Sequence, residues 1–367
     1  MKTALRFGVL VLALSACVGS PPAGTPGARP GAPDATPPDA GPPPPSTGPD
    51  IYDAYCGLCH GDSGEGYLAD NANALSNQEF LRSVTDPFLA DAIVHGRPGT
   101  AMSAWGMSRN GPLTLVQVDT LVDYLRGWQT VPDADVHEDV VEGDVERGAT
   151  AYAEHCASCH AEDGGGMTAL SLNNPWFLAT ASDGQIRYAI QNGRPDTVMQ
   201  AYSEVLSQEE VDDITALIRS WATEVDVTPM DPFVPDWENL VVNEGGATPE
   251  FMLREGRYVP IDQVKAALDA GQEIIFADAR ASSDYGRRHI SGAISLPFYD
   301  VARYADRLPR DTWIVAYCGC PHAASGRTMD ALVALGFPMV AVLDEGYYEW
   351  LDRGYPVTPP LPEEPAE

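Results

Sequence analysis

The chain has 367 residues, 44% of them hydrophobic and 20% charged, which allows two or three domains with ordinary hydrophobic cores. Acidic residues outnumber basic ones 53 to 22, for a formal net charge of −31 at pH 7. That excess excludes nucleic acid as a partner by repulsion and points any charged protein partner, above all a redox partner, towards a basic surface.

Residues 1–17, "MKTALRFGVLVLALSAC", place Lys2 and Arg6 ahead of an apolar run from Phe7 to Leu14. This is the layout of an export signal, and the run is too short to span a bilayer. Its end, Leu14-Ser15-Ala16-Cys17, resembles the bacterial lipoprotein box. The resemblance implies that Cys17 is lipidated, becomes the first mature residue and makes membrane lipid a partner. Val18, where an aspartate would retain the protein at the inner membrane, implies outer-membrane delivery in a Gram-negative cell. Residues 18–49 are rich in Pro, Gly and Ala with almost no bulky apolar side chain, and read as a semi-extended tether. The remainder is expected to be extracytoplasmic, on the periplasmic side.

Two segments then repeat. Cys56-Gly-Leu-Cys59-His60 matches Cys156-Ala-Ser-Cys159-His160, with Tyr52 and Tyr152 at equivalent places upstream. "GRPGTAMSAW" (96–105) matches "GRPDTVMQAY" (193–202), setting Met102 opposite Met199. Each unit closes with an apolar stripe on one helical face: Val118, Leu121, Tyr124, Leu125 and Trp128, then Val211, Ile214, Leu217, Ile218 and Trp221. A Cys-x-x-Cys alone fits a zinc half-site, a thiol redox centre or a covalent cofactor clamp. Zinc wants four ligands close together, whereas these pairs lie in separate repeats. A thiol oxidoreductase wants a βαβ context, which is absent here.

A helix, Cys-x-x-Cys-His, loops, a loop methionine and a final amphipathic helix together resemble the class I cytochrome c fold. The resemblance implies two all-α domains, 50–130 and 143–224, each with a covalently bound haem c. Cys56, Cys59, Cys156 and Cys159 would form the thioethers, His60 and His160 would ligate the two irons, and Met102 and Met199 would complete the coordination. Met107 competes with Met102, but its counterpart is Glu204, which could not serve as the same soft ligand. His95 has Asn192 as its counterpart and is not expected to be a ligand; His137 and His155 are expected to be solvated, and Met167 to be packed.

After a linker (225–256) the pattern changes to strands alternating with helices, which argues for a parallel α/β sheet over 257–358, with an acidic, Pro-rich tail at 359–367. Asp278-Ala-Arg280, "HISGAISLP" (289–297), "VAYC" ending at Cys318 and "VLDEGYYEW" (342–350) are similar to the rhodanese family. The resemblance implies a central parallel sheet and a nucleophilic Cys318 that takes sulfur from a small sulfur-containing donor, with Cys320 as the alternative nucleophile. The loop "CGCPHAASGR" lacks the family's usual basic neighbour and carries only His322, with Arg327 beyond. Where related phosphatases keep an arginine, Cys318 is followed by Ala324 and Cys320 by Gly326, which argues against phosphatase chemistry. Glu345 replaces a usual glycine and adds an acid near the loop. The expected whole is multidomain: a membrane-anchored dihaem electron carrier with a sulfur-handling domain. The rival readings are a non-catalytic binding module on an electron carrier and a haem-based redox sensor.

Overall fold

The computed structural model describes residues 44–67, 72–136, 140–232, 237–319 and 322–359. Cys17, Cys320, His137 and most of the expected tether and acidic tail lie outside the described residues. No helix among the described residues is long and apolar enough to cross a membrane.

The first repeat opens with a helix at Gly48–Tyr55, starting inside the segment read as tether. Pro49 suits the first turn because the amide it lacks would have had no helical partner there, and Thr47 caps the turn by accepting from Asp50 N. Short helices follow at Gly57–His60 and Gln78–Leu81, then Asp86–His95 and Leu115–Arg126. The second repeat runs Val145–His155, Ala157–His160, Pro175–Thr180, Asp183–Asn192 and Gln208–Ser220. Both closing helices carry a capping box, Thr114 with Gln117 and Ser207 with Glu210, a device worth about 1 kcal/mol per end.

Val118, Leu121 and Leu125, and Val211, Ile214, Leu217 and Ile218, are buried as the stripes require. Trp128 and Trp221 lie past the last helical residue, at Arg126 and Ser220, and fold back edge-on against Tyr52 and Tyr152.

The third domain has seven strands among the described residues. β1 (Tyr258–Val259), β2 (Ile275–Asp278), β4 (Ile294–Ser295), β5 (Ile314–Tyr317) and β6 (Val340–Leu343) form a parallel sheet in the order β1-β6-β5-β2-β4. β3 (His289–Ile290) and β7 (Val357–Thr358) pair antiparallel. β2, β5 and β6 are buried at every position, so both sheet faces are covered and the strands read as apolar runs rather than alternations.

The segment read as a linker is laid against its neighbours. Met230 N donates to Ser108 O at 2.9 Å, Trp237 stacks on Tyr304, and Val242 exchanges backbone hydrogen bonds with Ile274.

Candidate functional site

In both repeats the Cys-x-x-Cys-His segment follows directly on the first long helix as a single further turn. Cys56 N and Cys156 N each donate to the carbonyl of the upstream tyrosine at 2.8 Å, and His60 N and His160 N donate to the first cysteine's carbonyl at 2.9 and 3.0 Å. Each turn ends in a residue of positive φ, Gly61 or Ala161, whose carbonyl accepts the hydroxyl of Tyr52 (2.7 Å) or Tyr152 (2.9 Å). Thus the upstream tyrosines, noted in the sequence only as markers of the repeat, brace the turn that carries both thiols and the histidine.

The histidines are oriented alike. His60 Nδ1 lies 2.9 Å from Asn73 O and His160 Nδ1 lies 2.8 Å from Leu170 O. With the proton on Nδ1 donated to a carbonyl, Nε2 is left as the free lone pair, the arrangement found at metal-binding imidazoles. Burial holds both rings below the usual histidine pKa, favouring the neutral form that can ligate. Burial also pushes the Cys56 thiol up to about 12 and Cys156 to about 11. The four cysteines form no disulfide. The donor set fits a haem c: two adjacent thiols for thioethers, an oriented imidazole and a methionine.

Both methionines sit on the same tight loop. Arg97 N donates to Met102 O at 2.8 Å and Arg194 N to Met199 O at 2.7 Å; Met102 N and Met199 N donate to Thr100 and Thr197 Oγ1 at 3.2 and 3.1 Å. Gly96 and Gly193, both at φ 63°, have no room for a Cβ, which would lie 2.5–2.6 Å from the loop backbone. Met102 and Met199 are half-buried, whereas Met107 is 62% exposed in a 3-10 turn, so the geometry separates the two competitors. Met167 is 63% exposed rather than packed, because its glycine-rich turn carries it off the surface. His155 is half-buried against Tyr202 rather than solvated, and His95 stacks on Trp176 at 3.9 Å with Arg109 Nε donating to its Nδ1.

Sequence reasoning missed two further repeats. Arg126 reaches Asp86, Leu81 O and Val84 O at 2.6 Å each, and Arg219 reaches Asp183, Leu178 O and Ala181 O at 2.7, 2.6 and 2.5 Å. Arg97 and Arg194 follow the conformational glycines, and burial lowers each to about 10. The shared "GRP" was the available signal. The repeats also meet reciprocally: Asn77 Nδ2 donates to Pro195 O (2.7 Å) and Asn174 Nδ2 to Pro98 O (2.9 Å).

In the third domain Cys318 directly follows β5 and is 1% exposed, with Sγ 3.2 Å from Ser325 Oγ. The following helix, Ala323–Ala334, begins two residues ahead of Ser325, which falls in its first turn. His322 adopts φ 67°, stacks on Tyr258 and places Nε2 2.7 Å from Asp344 O, and Arg327 is exposed. Glu345 turns to the amide of Ile261 at 2.8 Å, capping the Ile261–Asp269 helix, so it adds no acid to the loop. The cation near Cys318 is Arg280, a role its motif did not reveal. It forks onto Asp278 at 2.9 and 2.6 Å, and Tyr317 OH donates to the same carboxylate at 2.8 Å.

Comparison with known proteins matches the chain to two family models. The family model described as "Cytochrome C oxidase, cbb3-type, subunit III" matches residues 43–125 and 143–218, and the model for the rhodanese-like domain matches 260–353. The "Cbb3-type cytochrome c oxidase subunit CcoP" of Azospirillum sp. (strain B510) is 27% identical over 194 residues, 47% of this chain and 60% of that protein. The corresponding subunit FixP of Azorhizobium caulinodans is 26% identical over 171 residues, 45% of this chain and 55% of that protein. The chain therefore spans little more than half the length of these curated relatives. Among solved structures, the Kuenenia stuttgartiensis reducing HAO-like protein complex is 20% identical, covering 48% of this chain and 96% of its own, with a TM-score of 0.34. The rhodanese-like domain of an Anabaena sp. protein is 24% identical, covering 30% and 89%, with a TM-score of 0.26.

The chain carries cytochrome c domains followed by a C-terminal rhodanese-like domain. Cytochrome c domains bind haem c covalently and transfer electrons.

Proposed function

We propose that the chain is an extracytoplasmic, lipid-anchored electron carrier with two haem c groups, one per cytochrome domain, and that its rhodanese-like domain accepts sulfane sulfur at Cys318. Cys56 with Cys59, and Cys156 with Cys159, would hold the groups; His60 and His160 would offer Nε2, and Met102 and Met199 would offer thioether sulfur from the loops that carry them. Iron bound by this donor set supplies one-electron redox chemistry. Asn73 O and Leu170 O keep each imidazole in one tautomer and one plane, so neither ring has to reorganise during electron transfer.

The observation that carries this reading is the duplication of both the histidine hydrogen bond and the methionine loop, down to the threonine that orders each. Lipidation of Cys17 would hold the acidic body beside the membrane for a basic redox partner. The two irons, the anchor and Cys318 as acceptor belong to one proposal, tested together. Intact mass of acid-extracted, full-length protein should show two retained haems. Brief treatment with inorganic polysulfide should add one sulfur to wild type and to Cys320→Ser but not to Cys318→Ser, and Cys17→Ser should leave the membrane with its haems attached. One retained haem, or label that persists in Cys318→Ser, would contradict it. The near-complete burial of Cys318 favours the rival reading of a non-catalytic binding module, for which no form would be labelled.

A further inference from the structure

Cys318 is almost fully buried, and part of its cover comes from another domain. It packs with Ala279 and Ala324, and Leu58 and Cys59 of the first Cys-x-x-Cys-His segment pack against that cluster. Side chains join the two domains nearby: Ser103 Oγ donates to Asp284 Oδ2 at 2.5 Å, and Ser283 Oγ donates to Ala104 O at 2.6 Å. Tyr299 packs edge-on to Tyr55 at 5.1 Å, with Trp105 beside both, and Phe298 meets Trp105 edge-on at 6.4 Å.

The duplication shows that this contact is specific to one repeat. The first repeat meets the third domain through Tyr55, Leu58, Ser103 and Trp105, whose counterparts in the second repeat are His155, Ser158, Gln200 and Tyr202. Ser158 and Gln200 are exposed. At matching positions of one small fold, the repeat that lies on Cys318 thus carries apolar bulk and a short hydroxyl, and the other carries polar side chains. Both sets are compatible with the cytochrome fold, since each stands in one.

We propose that the first cytochrome domain is a lid on the Cys318 site, latched by Ser103 to Asp284 and by Ser283 to Ala104 O, and that the thiol meets dissolved reagents only when the latch parts. This goes beyond the reading of Cys318 as a sulfur acceptor and does not need it, because it concerns access to the thiol. Ala279 directly follows β2 and Ala324 lies in the first turn of the Ala323–Ala334 helix, so neither can leave Cys318 without disturbing the sheet or the helix. Leu58 and Cys59 belong to another domain and can. The latch is small: one hydrogen bond to a carboxylate and one to a carbonyl, together shifting an open–closed equilibrium by roughly a hundredfold or more. Meanwhile the connecting chain is held by Arg109 at Asp226 O and by Asn110 at Asp231 O on the cytochrome side, and by Trp237 on Tyr304 and Val242 with Ile274 on the rhodanese side. That connection keeps the domains together when the rim opens, as domains sharing a modest interface commonly move.

The test measures the rate at which iodoacetamide alkylates Cys318 in full-length holoprotein, in a Cys320→Ser background so that mass spectrometry of the loop peptide reads Cys318 alone. Leu58→Ser and Ser103→Gln each bring the second repeat's residue into the first, which loosens the lid while keeping residues that a cytochrome domain already tolerates. Each should raise the rate about tenfold, the factor that one hydrogen bond to a charged group is worth, and the pair should raise it further. Amide hydrogen exchange gives a second reading: in the pair it should quicken at 103–105 and 282–285 and stay unchanged along β5. Haem content measured beside each rate shows that the first cytochrome domain is folded; should Leu58→Ser lose its haem, Ser103→Gln decides alone. A rate unchanged by these substitutions overturns the proposal. So does a rate that rises only together with exchange along β5, which reports unfolding of the rhodanese-like domain instead of a lid that opens. Iodoacetamide reads the thiol whatever its chemistry, so absence of any sulfur label on Cys318 would end the acceptor reading and leave the lid standing.

Discussion

Ala161 holds the backbone conformation that Gly61 holds in the other repeat, φ 68° and ψ 161° against φ 85° and ψ 159°. Each accepts a tyrosine hydroxyl on its carbonyl, so the conformation is enforced by the same contact in both. This region is nearly exclusive to glycine, and a side chain held there costs about 1–3 kcal/mol. Ala161→Gly is therefore expected to stabilise the second cytochrome domain by about 1 kcal/mol, after allowing for the freer unfolded chain. Gly61→Ala should destabilise the first by at least as much, since the new Cβ would fall 2.2 Å from Glu65 Cδ and displace that side chain. Thermal unfolding followed at the haem bands should move in opposite directions for the two substitutions.

The guanidiniums of Arg126 and Arg219 each tie two carbonyls and one carboxylate to the closing helix. Arg126→Ala is expected to cost about 3 kcal/mol, because charged hydrogen bonds are lost and two carbonyls are left short of a donor. Arg126→Lys should recover less than half of that, since an ammonium cannot reproduce the planar fork. Urea midpoints of the two variants against wild type measure both numbers.

The repeat, the haem-binding turns and the strand ending at Cys318 were legible because each rests on local chemistry: two thiols and an imidazole at fixed spacing, and apolar runs bounded by turn residues. Arg126 and Arg219 were not legible, since an arginine at the end of an amphipathic helix ordinarily reads as a partner for the helix dipole. His322 and Glu345 misled for the same reason. Their positions in the loop were clear, but a side chain's direction depends on Asp344 and the amide of Ile261, both far away in sequence. The packing of Leu58 and Cys59 against Cys318 joins residues more than 200 apart, and no periodicity carries that information.

His95 lies between Trp176 of the second repeat and Arg109, with Asp91 and Arg97 as the other charged groups near it. Burial, and then the neighbouring Arg109 and Arg97, lower it to about 4. The folded state thus binds its proton less tightly than the unfolded chain does. Its contribution to stability is full above the unfolded value near 6.5 and is lost as pH falls from there to about 4. Urea unfolding across that window should weaken by up to about 1.4 kcal/mol per pH unit from this group. His95→Gln should flatten that part of the profile, and an unchanged slope would assign the acid sensitivity to other groups.

Met102 and Met199 stand on loops whose glycine, arginine, threonine and methionine superpose in their hydrogen bonding, so whatever one sulfur does the other is placed to do. As iron ligands, both would give the ferric protein the weak near-infrared absorption of sulfur-to-iron charge transfer. Met102→Ala and Met199→Ala should each remove about half of that band and lower the potential of one centre, because a soft thioether favours the ferrous state. The double variant should lose the band altogether while keeping both haems, whose attachment depends on the thioethers alone. Met107→Ala serves as the control: its side chain is exposed on a separate turn and should leave the band untouched. Half the band surviving in the double variant, and vanishing only when Met107 is also replaced, would reassign the first iron to Met107 and require the 96–107 loop to rearrange when haem is bound.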